Sequence, residues 1–460
     1  MEIDERLQGR LEGLLRTELP KIRLREEIRS LDISDLFVLD EKFSSLIQKT
    51  SKETREEFES YIGERSFLPV VAGFLYDEAL KIPAEEKAGK KFLCECSPFN
   101  DVEKLAKKIV GMFLALPLEY LIAIKLPNDL ADILRENKSE GIFGRRLAVV
   151  GNWHQDRQDY PAPQEKIVAE QENRLLQLSL NLKKTGAPVE QVNSANSAYL
   201  FLRVAGYIDD DAVFSRQPLS KSITLLKAFL GLAIGMNILN VAGPLATKST
   251  PVQLDIYGRR DGVWGKLTDE ELNHGASQLA HRMTVGQRDS SAINLGLKSI
   301  VSVLDREADL PQLVLAGRWF FDSRANADEV MGFMQLAICA ETLLGTEDGA
   351  DGVTGILASR CAYLIAESMK ERDDLFVEFK SLYKVRSKIV HRGLGVFRKS
   401  ERQQYLRLRA ICSRIIQKEV TLAMADESEN QEAPSLIQAL HSAQALVADR
   451  SPSSKNAAAG

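Results

Sequence analysis

An arginine lies in the middle of an apolar helical stripe near the C-terminal end of the chain, and a histidine follows it five residues later. The segment from Leu375 to Gly393 reads LFVEFKSLYKVRSKIVHRG. At about 100° per residue, Phe379, Leu382 and Ile389 all fall within about 40° of Leu375, and Arg386 falls within about 20° of it. A guanidinium on a face that packs inward needs a partner, because burying it unpaired is costly. A second stripe runs through Val330, Met334, Ala337 and Leu344, and Glu341 falls inside it. Two neighbouring helices thus each direct one charge inward. The spacing predicts that Glu341 pairs with Arg386, either as a structural ion pair or to aim the guanidinium at a cleft.

His391 would lie about 140° around a regular helix from Arg386. The two can share one site only if the helix ends or distorts there, or if a second chain completes the site. Gly393 is placed to end the helix, which puts His391 in the last turn. The helix C-terminus favours an imidazolium there. A histidine beside several cations suits general acid/base work on a phosphodiester. An incidental, exposed histidine at a helix end is the simpler alternative.

The surroundings are basic. Between Lys380 and Arg409 stand ten Lys/Arg against the single acid Glu401, a local charge of +9 in a chain whose net charge is −5. The rest of the chain therefore carries −14, so any polyanion footprint is local. The same run also fits a solvated helical surface.

The elements around these residues divide the 460-residue chain in two. Residues 1 to about 90 are charge-rich and helical in period, and a helix is expected after Ser97, Pro98 and Asn100. Strand-like runs begin at Tyr120, Arg146, Ala198 and Val252, with helices expected over 165–184 and 220–242. The most apolar stretch, Ile223 to Ala242, contains Lys227, Asn237 and Asn240 and reads as a buried core helix rather than a membrane span. After about residue 305 the strands stop. Helices are expected over 311–323, 325–344, 353–370, 372–392 and 399–424, with a glycine-rich loop at 345–355 and a short helix near 434–448 before a disordered tail. The fold class is α+β: a mixed region over 1–305, an all-α bundle over 311–425, and a mostly disordered segment over 426–460.

Five scattered cysteines fit a reduced cytoplasmic setting. Cys339, Cys361 and Cys412 read as buried small hydrophobes, and Cys94 with Cys96 lacks the second pair a zinc site needs. The stretch NWHQDRQDY (Asn152 to Tyr160) reads as a polar surface loop, and His274 and His281 as positions on an exposed helix. No phosphate-binding loop, dinucleotide fingerprint or nucleophile elbow is present.

The segments RWFFDSRANADEVMGFMQLAICAETLLG (Arg318 to Gly345) and LYKVRSKIVHRG (Leu382 to Gly393) resemble the HEPN family, in particular its Apea-like branch. The resemblance covers residues 311 to 425. It implies a helical bundle, a homodimer, and a metal-independent RNA endonuclease without cofactor, whose cleft forms where two R-x4-H motifs meet. By position, Arg386 and His391 match the motif and would be catalytic. Glu341 matches the acid of the preceding helix, and Tyr383 and Ser387 would support it. Ser387 departs from the Asn, Asp or His that many family nucleases carry there. Lys384, Lys388 and Arg392 would contact RNA, with tRNA among the candidate substrates. The resemblance further implies a role in bacterial abortive infection, with residues 1–305 sensing a phage-derived trigger and no membrane partner. A non-catalytic RNA- or protein-binding scaffold is the alternative.

Overall fold

The computed structural model describes residues 3–25, 30–63, 67–87, 89–139, 141–151, 160–161, 197–208, 217–242, 251–260, 262–345 and 353–448, with side chains described as far as residue 425. The chain forms two compact units: residues 1–227, 240–285 and 289–294, and residues 228–239, 286–288 and 295–460. It is α+β, with a six-stranded antiparallel sheet among helices in the first unit and a mostly helical second unit.

The first unit opens with helices α1 (Glu5–Glu18), α2 (Ile33–Ile47), α3 (Lys52–Tyr61), α4 (Phe67–Lys81), α5 (Ala84–Lys87) and α6 (Val102–Leu114). Several of their N-termini are capped by side chains. Asp4 accepts from the Leu7 N–H at 2.6 Å, and Asp101 from the Lys104 N–H at 2.9 Å. Asp40 is buried, and its carboxylate accepts the Phe67 and Leu68 N–H groups at 3.1 and 3.0 Å, closing the start of α4. The apolar faces meet on Phe43, Phe58, Phe67 and Phe113, with Phe43 and Phe113 stacked at 4.8 Å. The two-stranded β1 (Leu24–Arg25) and β2 (Ser30–Leu31) link α1 to α2.

The sheet contains β3 (Leu118–Leu126), β4 (Gly141–Phe143), β5 (Leu147–Gly151), β6 (Ala198–Gly206), β8 (Gln253–Arg260) and β9 (Val263–Glu271), in the order β4-β5-β6-β3-β8-β9. All four strand-like runs in the sequence are strands. β3 and β6 pair over nine residues, from Leu118↔Gly206 to Leu126↔Ala198. One face buries Leu121, Ala123, Val150, Tyr199 and Phe201 beneath Tyr160. The edge strand β9 was not apparent in the sequence, because none of its positions is buried and it therefore has no inward apolar alternation. The unit also contains α7 (Asp129–Glu136) and α9 (His274–His281).

α8 (Gln217–Gly235) passes from the first unit into the second after Lys227. It is long and apolar enough to cross a membrane, but 72% of its apolar window is buried, as in a core helix. The helix expected to reach residue 242 ends seven residues earlier. Asn237 takes φ 55°, a left-handed conformation that Asn tolerates, and the Ile238 N–H closes on the Ala233 carbonyl. The chain then enters β7 (Leu239–Val241), which pairs with β10 (Met283–Val285).

The second unit continues with α10 (Ser290–Asp305, from Leu295 on), α11 (Pro311–Ala325), α12 (Glu329–Leu344), α13 (Val353–Ile365), α14 (Met369–Arg392) and α15 (Lys399–Ala448). Gly231 and Gly317 bring α8 and α11 into backbone contact, and a Cβ on Gly231 would lie 1.8 Å from the Gly317 carbonyl oxygen. Two expected boundaries move. α14 starts at Met369 rather than 372, because the Ser368 hydroxyl accepts the Glu371 N–H at 3.2 Å while the Glu371 carboxylate accepts the Glu367 N–H at 2.8 Å. The helices expected over 399–424 and 434–448 are one continuous helix, its intervening residues being rich in the helix formers Ala, Glu and Gln. The helix expected over 165–184, the loop of Asn152 to Tyr160 except its last residue, most of the 345–355 loop and the tail after residue 448 lie outside the described residues.

Candidate functional site

α14 is set by both of its ends. Ser368 caps the start, and Gly393 takes φ 62° and ψ 38°, the left-handed conformation that stops a helix, with its N–H donating to the Lys388 carbonyl. Leu375, Phe379, Leu382, Tyr383 and Val385 are buried along one face. Arg386 sits in the middle of that face.

Arg386 Nε lies 3.4 Å from Glu341 Oε1, with the two side chains 34% and 30% exposed. The charges predicted to pair are therefore together, at the margin of the core rather than deep within it. The buried face of α12 explains the position. It centres on Phe333, Leu336, Ala337, Ala340 and Leu344, while Met334 is only half-buried. Glu341 borders this face instead of lying at its middle. Glu341 also occupies the last turn of α12, its carbonyl accepting the Gly345 N–H at 2.8 Å. A carboxylate there opposes the helix dipole, and the guanidinium offsets it.

Two donors converge on this carboxylate without completing good hydrogen bonds. Arg386 Nε and the Tyr383 hydroxyl are both buried and lack a partner of proper geometry. Tyr383 stacks on Phe379 at 4.9 Å. Burial above all, and then the neighbouring Glu341 carboxylate, push the Tyr383 hydroxyl far above the usual phenol range, so it remains protonated.

His391 is exposed in the last turn and has no hydrogen-bond or ion-pair partner among the described residues. The helix is continuous through Arg392, so one chain places His391 about 140° around and roughly 7.5 Å along the axis from Arg386. The structure separates the two within the chain. On the same count, Lys384, Ser387, Lys388 and Arg392 each fall at least about 100° around the helix from Leu375, on the side that carries His391. All four are exposed.

The basic run is only partly available. Beside Arg386, Arg402 pairs with Glu329 at 2.7 Å and Arg407 with Glu378 at 2.6 Å. Arg414, just beyond the run, pairs with Glu371 at 2.7 Å and caps the Ile365 carbonyl at the end of α13. Pattern reading missed these pairs because the acids come from helices far away in sequence. Lys380 lies over the Phe376 ring at 5.1 Å. Among the described residues no carboxylate is within ion-pair distance of Lys384, Lys388, Arg392, Arg398 or Lys399.

Cys339, Cys361 and Cys412 are fully buried in this unit. Burial pushes the Cys361 thiol up to about 12, and Cys412, hydrogen-bonded to Cys339 and buried, is raised as well. His274 and His281 are exposed at the two ends of α9 in the first unit, where His274 Nε2 lies 2.7 Å from Gln278 Nε2.

Compared with protein-family models, with curated proteins and with solved structures, the chain matches none.

Proposed function

We propose that the helical unit is a metal-independent RNA endonuclease acting as a homodimer in the cytoplasm, in a bacterial abortive-infection system. The observation that carries the reading is the Glu341–Arg386 pair beside a helix face bearing His391 and unpaired cations. An arginine steadied by a carboxylate at the edge of the core offers its outer guanidinium nitrogens to a phosphate with bidentate geometry. Lys384, Lys388 and Arg392 draw the RNA backbone to the same helix.

In this reading the RNA 2′-oxygen attacks the adjacent phosphorus and loses its proton to one His391. The bond from phosphorus to the 5′-oxygen breaks, and a second His391 protonates the leaving oxygen. The products are a 2′,3′-cyclic phosphate and a 5′-hydroxyl. Arg386 neutralises charge on the phosphoryl oxygens. The wide separation of Arg386 and His391 on one helix requires the second chain, each supplying what the other lacks.

The same separation favours the second reading, a non-catalytic RNA- or protein-binding scaffold in which Glu341–Arg386 only holds α12 to α14. Incubating the purified protein with total RNA in EDTA, beside Arg386→Ala and His391→Ala, tests the two. Cleavage by wild type alone, of RNA and not of DNA, supports the nuclease. Equal cleavage of DNA, or loss of cleavage in EDTA, refutes the mechanism. A monomer in solution that cleaves nothing leaves the scaffold.

A further inference from the structure

The face of α14 that carries His391 is basic. Counted at about 100° per residue, Lys384 lies within about 20° of His391 and Lys388 within about 60°, about two turns and one turn back along the axis. Residues three apart on a helix are neighbours, so Lys388 stands beside the imidazole. Arg392 follows it, and Arg398 and Lys399 stand at the start of α15, just past the turn after Gly393. All are exposed. The one acid in this stretch of sequence, Glu401, serves the start of α15. Its carboxylate accepts the Arg398 N–H and the Ser400 hydroxyl, each at 3.1 Å, and feels the Lys388 charge from α14 without pairing with it. Five cations against one acid leave this end of the unit with a local charge of +4.

In the cleavage reading, two His391 side chains flank one phosphorus. The attacking 2′-oxygen and the leaving 5′-oxygen are bonded to that same phosphorus, so both imidazoles come within hydrogen-bond reach of neighbouring oxygens. Two copies of the basic face then meet. Like charges at that range repel, most strongly at low ionic strength. Apolar contact on this face does little to offset the repulsion. Its exposed apolar side chains are Val390 and Val396, and two valines a side supply a small part of the roughly 800 Å² per partner that a stable interface buries. An RNA strand between the two faces carries a negative charge at every phosphate, and it turns the repulsion into attraction for both chains.

We propose that the protein is monomeric alone and that RNA brings two chains together, one strand bridging two His391 faces, so that the substrate assembles the site that cuts it. The proposal rests on the nuclease reading for the meeting of the two histidines. It also predicts a self-limiting response, because excess RNA distributes the chains one to a strand and disassembles the site.

The test is sedimentation velocity of the full-length protein, alone and with a 2′-O-methyl oligoribonucleotide, whose blocked 2′-oxygen cannot attack. At about 50 mM salt the protein alone should sediment as a monomer. Half an equivalent of the oligonucleotide should convert it to two chains on one strand, and a large excess should return it to one chain per strand. Raising the salt to about 200 mM should weaken the two-chain complex about 10²–10³-fold. Lys384→Glu combined with Lys388→Glu should weaken it at least about 100-fold. Both positions are exposed, so melting curves should show that variant folded. A dimer without RNA at low salt would overturn the proposal. So would one chain per strand at half an equivalent, or a two-chain complex indifferent to the double substitution. The nuclease reading fails separately. A protein dimeric without RNA that cleaves RNA in EDTA loses only the bridging proposal, whereas one that gathers in twos on the 2′-O-methyl strand and cuts no RNA keeps the bridge and loses the nuclease.

Discussion

Two arginine–glutamate pairs of nearly equal length occupy different surroundings in the two units. In the helical unit Arg386 Nε lies 3.4 Å from Glu341, and that nitrogen is buried. On the sheet Arg259 Nη1 lies 3.3 Å from Glu119, with the side chains 47% and 66% exposed. Distance does not distinguish them; solvent does. Water screens the sheet pair and can hydrate either partner left alone. The helical pair sits where an abandoned charge keeps much of its desolvation cost. The sheet pair can therefore open at little cost, whereas the helical pair holds one guanidinium in place at the edge of the core.

The largest effect expected from breaking either region is catalytic. On the proposed nuclease reading, Arg386→Ala or His391→Ala should slow RNA cleavage by about 10²–10⁴-fold, the scale for positioned acid, base and electrostatic groups. Glu119→Gln should leave the cleavage rate unchanged. Single-turnover cleavage of a labelled RNA measures both, and an equal loss in all three variants would remove the distinction between the regions.

Core truncation should affect the two units alike. Phe43→Ala in the first and Phe333→Ala in the second each remove a fully buried ring and should cost about 3–5 kcal/mol. Urea denaturation followed by circular dichroism reads this, and a cost under about 1 kcal/mol at either site would show that packing there is misassigned.

The pairs themselves should differ in stability. Glu341→Gln should cost about 1–2 kcal/mol, between the surface and fully buried limits because a third of each side chain is exposed. Glu119→Gln should cost about 0.5 kcal/mol or less. Equal costs in parallel denaturation curves would mean that burial does not separate them.

The smallest effect is chemical. The Cys361 thiol is raised to about 12 from an ordinary value of 9.0, so folding favours its protonated form. That contribution to stability is complete below pH 9 and disappears as pH rises from 9 to 12. Iodoacetamide at pH 8 should therefore spare Cys361 until the chain unfolds, as mass spectrometry of labelled peptides would show. Rapid labelling in the native state would contradict the burial.

Much of the fold was legible in the chain. The four runs of β-branched and aromatic residues are strands, and Gly393 ends its helix as its type suggests. Legibility failed where a segment lacks periodicity of its own, as in β9, or where capping outweighs composition, as at Ser368 and Asn237. In the candidate site, a charge inside an apolar stripe was enough to point Glu341 and Arg386 at each other. The same pattern could not show that Arg402 and Arg407 are matched by Glu329 and Glu378, since nothing local marks a partner some 73 or 29 residues distant.

The sequence by itself determined the α+β class, the inward-facing Arg386 and Glu341, and the roughly 140° that separates Arg386 from His391. These follow from backbone period and capping, which act over a few residues. Only the tertiary structure decided how many cations of the basic run remain unpaired and how far Glu341 lies from the centre of its helix's buried face. Those outcomes depend on which distant segments become neighbours, and burial, pairing and field strength are properties of that assembly rather than of any segment.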